Sequence, residues 1–185
     1  MIFTELETER LILRKFHESD FPIVYDWLGN SENMKYRMGE ARSEDETHKY
    51  LNWAISSADS DECTDFEFAA VLKETGELIG ATSLFRLTDE PELGWTVHRK
   101  YWCQGFGTEM GKALLNFGFE TLSLRRIIAG CNAENRASYR IMEKIGMRRE
   151  AHFIKAQRGN SALNYEWCDR FQYAILKEEW EANSI

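Results

Sequence analysis

The chain has 185 residues, 43% hydrophobic and 13% aromatic, with only 2 prolines; this composition supplies one core of ordinary size and excludes disorder, collagen-like repeats and a disulfide-stapled miniprotein. Lys and Arg number 23 against 31 Asp and Glu, and the resulting net charge of −8 argues against general nucleic-acid binding, because the surface repels phosphate backbones. Apolar runs such as Phe68–Leu72 and Ile127–Cys131 are far too short to span a bilayer, and no apolar signal segment opens the chain, so a soluble cytoplasmic protein with no membrane partner is expected.

No linker, internal repeat or low-complexity stretch divides the sequence, and residues 1–185 read as a single domain. Arg10–Phe16 (RLILRKF) reads as a first strand, and Asp20 then offers a cap for a helix to Gly29, with Pro22 in its first turn. Ser43 and Glu46 have capping-box spacing and open a second helix through Ser57. Phe66–Leu72 and Leu78–Leu87 flank Thr75-Gly76 as a β-hairpin, and Leu93–His98 is a further strand. After a loop holding Gly105 and Gly107, Met110, Ala113, Leu114 and Phe117 recur at helical spacing as far as Leu122. Arg126–Cys131 is a strand; Ser138, Ile141, Met142 and Ile145 then mark one face of a helix that begins at Asn135 and ends at Gly146. Arg148–Lys155 and Leu163–Leu176 are the last extended segments. A hairpin region followed by a β-α-β-α unit implies an α/β (α+β) fold in three layers. Cys63, Cys103, Cys131 and Cys168 show no Cys-x-x-Cys spacing, and His17, His48, His98 and His152 show no helical pairing. Free thiols and no metal are therefore expected.

The segment richest in chemistry runs from Trp95 to Glu109, where a strand enters a glycine-punctuated turn that opens a helix. Free N–H groups at a helix start, with the helix dipole behind them, favour an anion, and glycines allow close approach of a pyrophosphate. A dinucleotide fingerprint fails because Met110 stands where a third glycine is needed, and a P-loop fails for want of Gly-Lys-Ser/Thr.

Trp102-Cys103-Gln104-Gly105-Phe106-Gly107 resembles the Gln/Arg-x-x-Gly-x-Gly/Ala pyrophosphate loop of the GNAT superfamily of acetyl-CoA-dependent N-acetyltransferases. Asn135-Arg136-Ala137-Ser138, Met142-Glu143-Lys144-Ile145-Gly146-Met147, Glu92-Leu93-Gly94-Trp95 and the Arg10–Arg14 strand resemble, in order, further motifs of its ribosomal-protein alanine N-acetyltransferase branch. The loop's first position departs from the pattern, with Trp102 for Gln or Arg.

The resemblance implies a GNAT-like three-layer α/β/α fold whose central mixed, mostly antiparallel sheet is splayed at the acetyl-CoA site. Backbone groups of Trp95 and Val97 would pair with the pantetheine arm, amides of Gln104, Gly105, Gly107 and Thr108 would hold the pyrophosphate, and Asn135 would bind the cofactor arm. An amine must lose a proton on acylation, and Glu92, at the entrance to the strand lining the gap, is the candidate base. The superfamily's usual tyrosine acid is replaced by Met142, which cannot donate, and Ser138 is the nearest substitute on the same helix face. The N–H of Trp95 is a candidate for polarising the thioester carbonyl.

Arg125–Arg158 carries a net +6, which suits an anionic cosubstrate, whereas Ser43–Glu92 carries −10, which suits a cationic acceptor. The acceptor amine is a protein N-terminal α-amino group or a small amine such as a polyamine or antibiotic, chosen by the loops at Asn30–Arg42 and Arg158–Ala162. A non-catalytic acyl-CoA sensor and a homodimer built on Arg170–Leu176 are alternative expectations. Cys103, beside a helix start, is a candidate reactive thiol.

Overall fold

A computed structural model describes residues 3–37, 39–87, 90–163 and 166–183. Among them, strands β1 (Leu6–Glu7), β2 (Leu11–Arg14), β3 (Phe66–Leu72), β4 (Leu78–Phe85), β5 (Glu92–Val97), β6 (Arg126–Asn132), β7 (Arg148–Arg158) and β8 (Trp167–Leu176) form one sheet. Its order is β1-β2-β3-β4-β5-β6-β8-β7, and every pairing is antiparallel except that of β5 with β6. Helices α1 (Phe21–Leu28), α2 (Ser31–Met34) and α3 (Glu44–Ala58) precede β3, α4 (Phe106–Asn116) joins β5 to β6, α5 (Arg136–Lys144) joins β6 to β7, and α6 (Lys177–Asn183) follows β8.

The period-two alternation of a strand sends its side chains to two faces, and each face has its own core. Phe66, Phe68 and Ala70 of β3 pack with Met110 and Leu114 of α4 and Met142 of α5. Ala69 and Val71 face the other way, toward Val24 and Trp27 of α1 and Leu51 and Ala54 of α3. Helices thus cover both faces, as the three-layer expectation required. Burying a phenylalanine stabilises by about 1.5–3 kcal/mol, while an exposed ion pair such as Lys15–Asp59 contributes about 0–1 kcal/mol; the two apolar layers hold the fold.

Ser43 caps α3 as its spacing predicts, accepting from the Glu46 N–H while the Glu46 carboxylate accepts from the Ser43 N–H. Asp20 does not cap α1: its carboxylate is taken by the Arg14 guanidinium at 2.7 and 2.8 Å and by the His17 N–H at 2.8 Å, closing a 3-10 turn over Glu18–Asp20 ahead of the helix. The two-residue strand β1 and the single-turn helix α2 have no counterpart in the sequence reading, being too short to show a period. The first strand is shorter than Arg10–Phe16, β4 stops at Phe85 rather than Leu87, and the last strand begins at Trp167, because Leu163 closes a turn onto the Asn160 carbonyl. Asn164 and Tyr165 of that expected segment lie outside the described residues. Beyond Asn116, α4 continues as a π-turn over Phe117–Thr121. The segment Arg170–Leu176, expected to serve dimerisation, lies in β8 between β6 and β7 with both of its edges paired. The free edge on that side is β7, which carries the exposed Phe153 and Ile154.

Candidate active site

The parallel strands β5 and β6 register at a single pair, Glu92 with Ile128, beside a bond from the Ile128 N–H to the Pro91 carbonyl at 2.8 Å. Past that point they diverge and leave a wedge open toward the N-terminus of α4. The His98 N–H donates to Ile79 of β4, so by alternation the backbone groups of Thr96 and Gly94 also face β4, and those of Trp95 and Val97 face the wedge. The Val97 carbonyl is already engaged there: it accepts from the Trp102 indole N–H at 2.7 Å. Trp102, the departure from the family pattern, thereby ties the loop to the strand, and its ring is 44% exposed.

The loop is anchored at its start by His98, which is fully buried. Its Nδ1 accepts from the Lys100 N–H at 3.2 Å, so Nε2 carries the proton that reaches Asp26 of α1 at 2.6 Å. That ring holds the Asp26 carboxyl below the usual carboxylate range. The chain then turns through left-handed Cys103 (φ 60°) and Gly105 (φ 86°). Glu109 makes the first helical bond, to the Gly105 carbonyl at 3.1 Å, and the N–H groups of Gly105, Gly107 and Thr108 lie ahead of it at the dipole's positive end. Gln104, Gly105, Gly107 and Thr108 thus sit together at the head of α4. Gly107 has a second reason to be glycine: a Cβ there would stand 2.6 Å from Ile141 Cδ1 of α5, so its missing side chain lets the two helices close.

Sequence reading missed what braces this turn. Arg10 of the first strand segment donates to the Gln104 carbonyl at 3.1 Å, lies 4.1 Å over the Phe106 ring and pairs with Glu109 at 2.7 Å. Burial alone would push the Glu109 carboxyl up, but the Thr8 hydroxyl and the Arg10 amide and guanidinium together hold it below its usual range. The available signal was the charge of Arg10 directly ahead of the apolar run Leu11–Leu13.

On the opposite wall, Asn135 accepts the Ser138 N–H at 3.1 Å and caps α5 with its side-chain oxygen. The Ser138 hydroxyl bonds the buried Cys131 thiol, which burial pushes up to about 11 despite that bond. Met142 is fully buried in the core. Tyr173 does not replace the missing donor, since its hydroxyl accepts from Arg149 at 2.9 Å and reaches Glu143 at 3.2 Å.

Glu92 stands where the strands part, opposite Phe85 on the α1–α3 face. Its Oε1 meets Arg170 of β8 at 3.1 Å and its Oε2 meets Arg86 at 3.4 Å. Arg170 crosses β6 to get there by passing over Gly130, where a Cβ would come within 2.3 to 2.7 Å of the guanidinium atoms. On that same face the two loops expected to choose the acceptor meet: the buried Asn160 donates to the Met34 carbonyl at 2.9 Å and the Gly39 carbonyl at 3.1 Å, and Ser161 bonds Glu40. An open cavity of about 500 Å³ beside them is lined by residues of both β4 and α3. Among the described residues no three His, Cys, Asp or Glu side chains gather as a metal site, and no helix is long and apolar enough to cross a membrane.

Residues 10–148 match the family model described as an acetyltransferase (GNAT) domain. An uncharacterized N-acetyltransferase of Bacillus subtilis, YnaD, is 36% identical over 178 residues, covering 95% of this chain and 98% of its own. A solved structure of a GNAT-family acetyltransferase from Bacillus anthracis superimposes with a TM-score of 0.82 at 34% identity, covering 95% of this chain and 99% of that one. The fold is shared as well by the ribosomal L7/L12 α-N-protein acetyltransferase solved with coenzyme A, at a TM-score of 0.79, 19% identity, and coverage of 94% and 98%.

Proposed function

The chain belongs to the GNAT acetyltransferase family, and on that premise we propose that it carries an acetyl group from acetyl-CoA to a primary amine by direct attack on the thioester. We read residues 1–185 as one such domain, of the branch that acetylates protein N-terminal α-amino groups. The observation that carries the cosubstrate is the pairing of a strand wedge with a helix start whose leading N–H groups have no helical acceptor, which fits a pantetheine arm and a pyrophosphate.

When bound, acetyl-CoA supplies an electrophilic thioester carbonyl and a thiolate leaving group. The chain supplies the rest. Amides of Gln104, Gly105, Gly107 and Thr108 hold the pyrophosphate, and backbone groups of Trp95 and Val97 align the arm, with Trp102 yielding or sharing the Val97 carbonyl. The Trp95 N–H polarises the carbonyl oxygen, where charge grows as the amine adds. Glu92 takes the proton released from the amine, directly or through a water, and Arg86 and Arg170 fix its carboxylate. Ser138, held half-buried beside Cys131, is the hydroxyl that donates to the departing sulfur, and Asn135 lines the arm from the head of α5. The four free cysteines support a reducing, cytoplasmic setting.

Thiol release from acetyl-CoA, read with Ellman reagent across N-terminal peptides, spermidine and aminoglycosides, tests the reading. Release is expected with α-amino peptides; release confined to spermidine or aminoglycosides would overturn the acceptor, and none with any amine would overturn the transfer. Cys103 is exposed, whereas Cys63, Cys131 and Cys168 are buried. Iodoacetamide is therefore expected to label Cys103 alone in the folded protein, as read by intact mass, and saturating acetyl-CoA to slow that labelling severalfold. Labelling indifferent to acetyl-CoA would remove Cys103 from the edge of the cradle.

A further inference from the structure

The cavity on the α1–α3 face is walled by α3, β3 and β4, with Arg37 and Arg42 at its side. Of its lining groups, the three carboxylates are already satisfied within the protein. Glu46 is engaged by Ser43, Asp65 accepts from the Arg86 N–H at 3.0 Å, and Glu67 accepts from the Tyr50 hydroxyl at 2.7 Å. The three cations differ. Arg37, Arg42 and Lys49 line the same cavity, and among the described residues none has a carboxylate within ion-pair distance, whereas the half-buried Arg14, Arg126 and Arg170 are each paired with one. Arg42 lies 4.9 Å over the Tyr50 ring, and Arg37 donates to the Thr96 hydroxyl on β5, one residue from Trp95. Burial pushes the Glu67 carboxyl up against the pull of Tyr50, Arg37, Ser83 and Arg42.

Unpaired guanidinium and ammonium groups at the wall of a cavity recognise an anion, with arginine best suited to a carboxylate. The −10 of segment Ser43–Glu92 suggests a cationic acceptor, but the cavity sets three cations against its three carboxylates, and among the described residues none of those cations is in an ion pair. We propose that the acceptor is an amine bearing a carboxylate close to its amino group, held by Arg42 and Lys49 with Arg37 nearest the thioester, while the rings of Trp53 and Phe85 receive its apolar part. This deepens the N-acetyltransferase reading and rests on it for the identity of the amine. A free amino acid and a peptide with an acidic residue beside its N-terminus share this chemistry.

Acetylated product analogues probe the subsite without turnover. Calorimetry on the CoA-saturated protein compares N-acetylleucine with its amide, and N-acetyl-Ala-Asp amide with N-acetyl-Ala-Asn amide. The acidic member of at least one pair is expected to bind about tenfold tighter, as a charge-assisted contact does, and the responsive pair identifies the source of the carboxylate. In the doubly substituted Arg42→Gln, Lys49→Gln protein, whose CoA binding is expected to be unchanged, the preference falls to near unity. Equal binding within both pairs, or an acid preference that survives the double substitution, would overturn the subsite. An acid preference that holds while no amine of any class is acetylated would leave the subsite standing and overturn the transferase reading instead.

Discussion

Glu92→Gln is expected to lower kcat by about 10²-fold or more, the usual contribution of a positioned general base, with acetyl-CoA affinity and melting temperature close to wild type. The substitution keeps the shape, but its single carbonyl oxygen can accept from only one of Arg86 and Arg170 while its NH2 faces the other, and the neutral amide loses the capacity to take the amine proton. Because Glu92 is ion-paired on both oxygens, a loss of rate by itself does not separate proton transfer from the placement of the two arginines. Gly130→Ala makes that separation. Its Cβ would overlap the Arg170 guanidinium, the far end of a flexible side chain, and displace it while leaving Glu92 in place. If Glu92 is the base, Gly130→Ala retains activity to within about tenfold, well inside the general-base range. Equal losses in the two variants would assign the effect to the ion pair, and a Glu92→Gln enzyme with wild-type kcat would remove the base altogether. Steady-state kcat and KM with one amine decide among these.

The parts of this site that were legible in the sequence are those written within a few consecutive residues. Ser43 and Glu46 announce α3 because a capping box is a local exchange of two hydrogen bonds. The loop from Trp102 to Gly107 announces the head of α4 because the left-handed turn at Gly105 needs a glycine. Asp20 was misread for an equally local reason: capping residues are chosen by competition, and the Arg14 guanidinium, six positions away, captures its carboxylate. The braces of the site were illegible because their partners are distant in sequence. Arg10 and Glu109 are 99 residues apart, and Arg170 and Glu92 are 78 apart; no periodicity links them, and only the sheet order brings β8 within reach of β5 across β6. The substitution of Trp102 for the family's Gln or Arg likewise acquires a meaning only when Val97 is seen to be its acceptor. Charge summed along a segment does not show that Arg37 and Arg42, from outside Ser43–Glu92, join Lys49 at one cavity wall.

Gly105→Val is expected to weaken CoA binding by about 10- to 100-fold, equivalent to one or two charge-assisted hydrogen bonds at 1.4 kcal/mol per decade. Gly105 sits at φ +86°, and the space a Cβ would enter is open, with Arg10 Nη2 nearest at 3.5 Å; the penalty is therefore conformational rather than a clash. A β-branched residue there is a steric outlier that costs about 1–2 kcal/mol or more if the turn is kept. If the turn instead relaxes to negative φ, the N–H groups from Gly105 to Thr108 no longer converge. Relaxation is restrained on one side by Arg10, which holds the Gln104 carbonyl, and on the other by Glu109, the first residue bonded within the helix, so the misfit falls on the cradle itself. Gly107→Ala is the matched control. Its Cβ would press on Ile141 Cδ1 at 2.6 Å, a packing conflict expected to destabilise by about 1–3 kcal/mol while leaving the direction of the cradle's donors largely intact. Calorimetry with CoA and thermal melts on both variants give the comparison: affinity lost chiefly in Gly105→Val and stability lost chiefly in Gly107→Ala. If Gly105→Val binds CoA as the wild type does, the pyrophosphate is not held by this helix start, and the anion site must be sought elsewhere along the wedge.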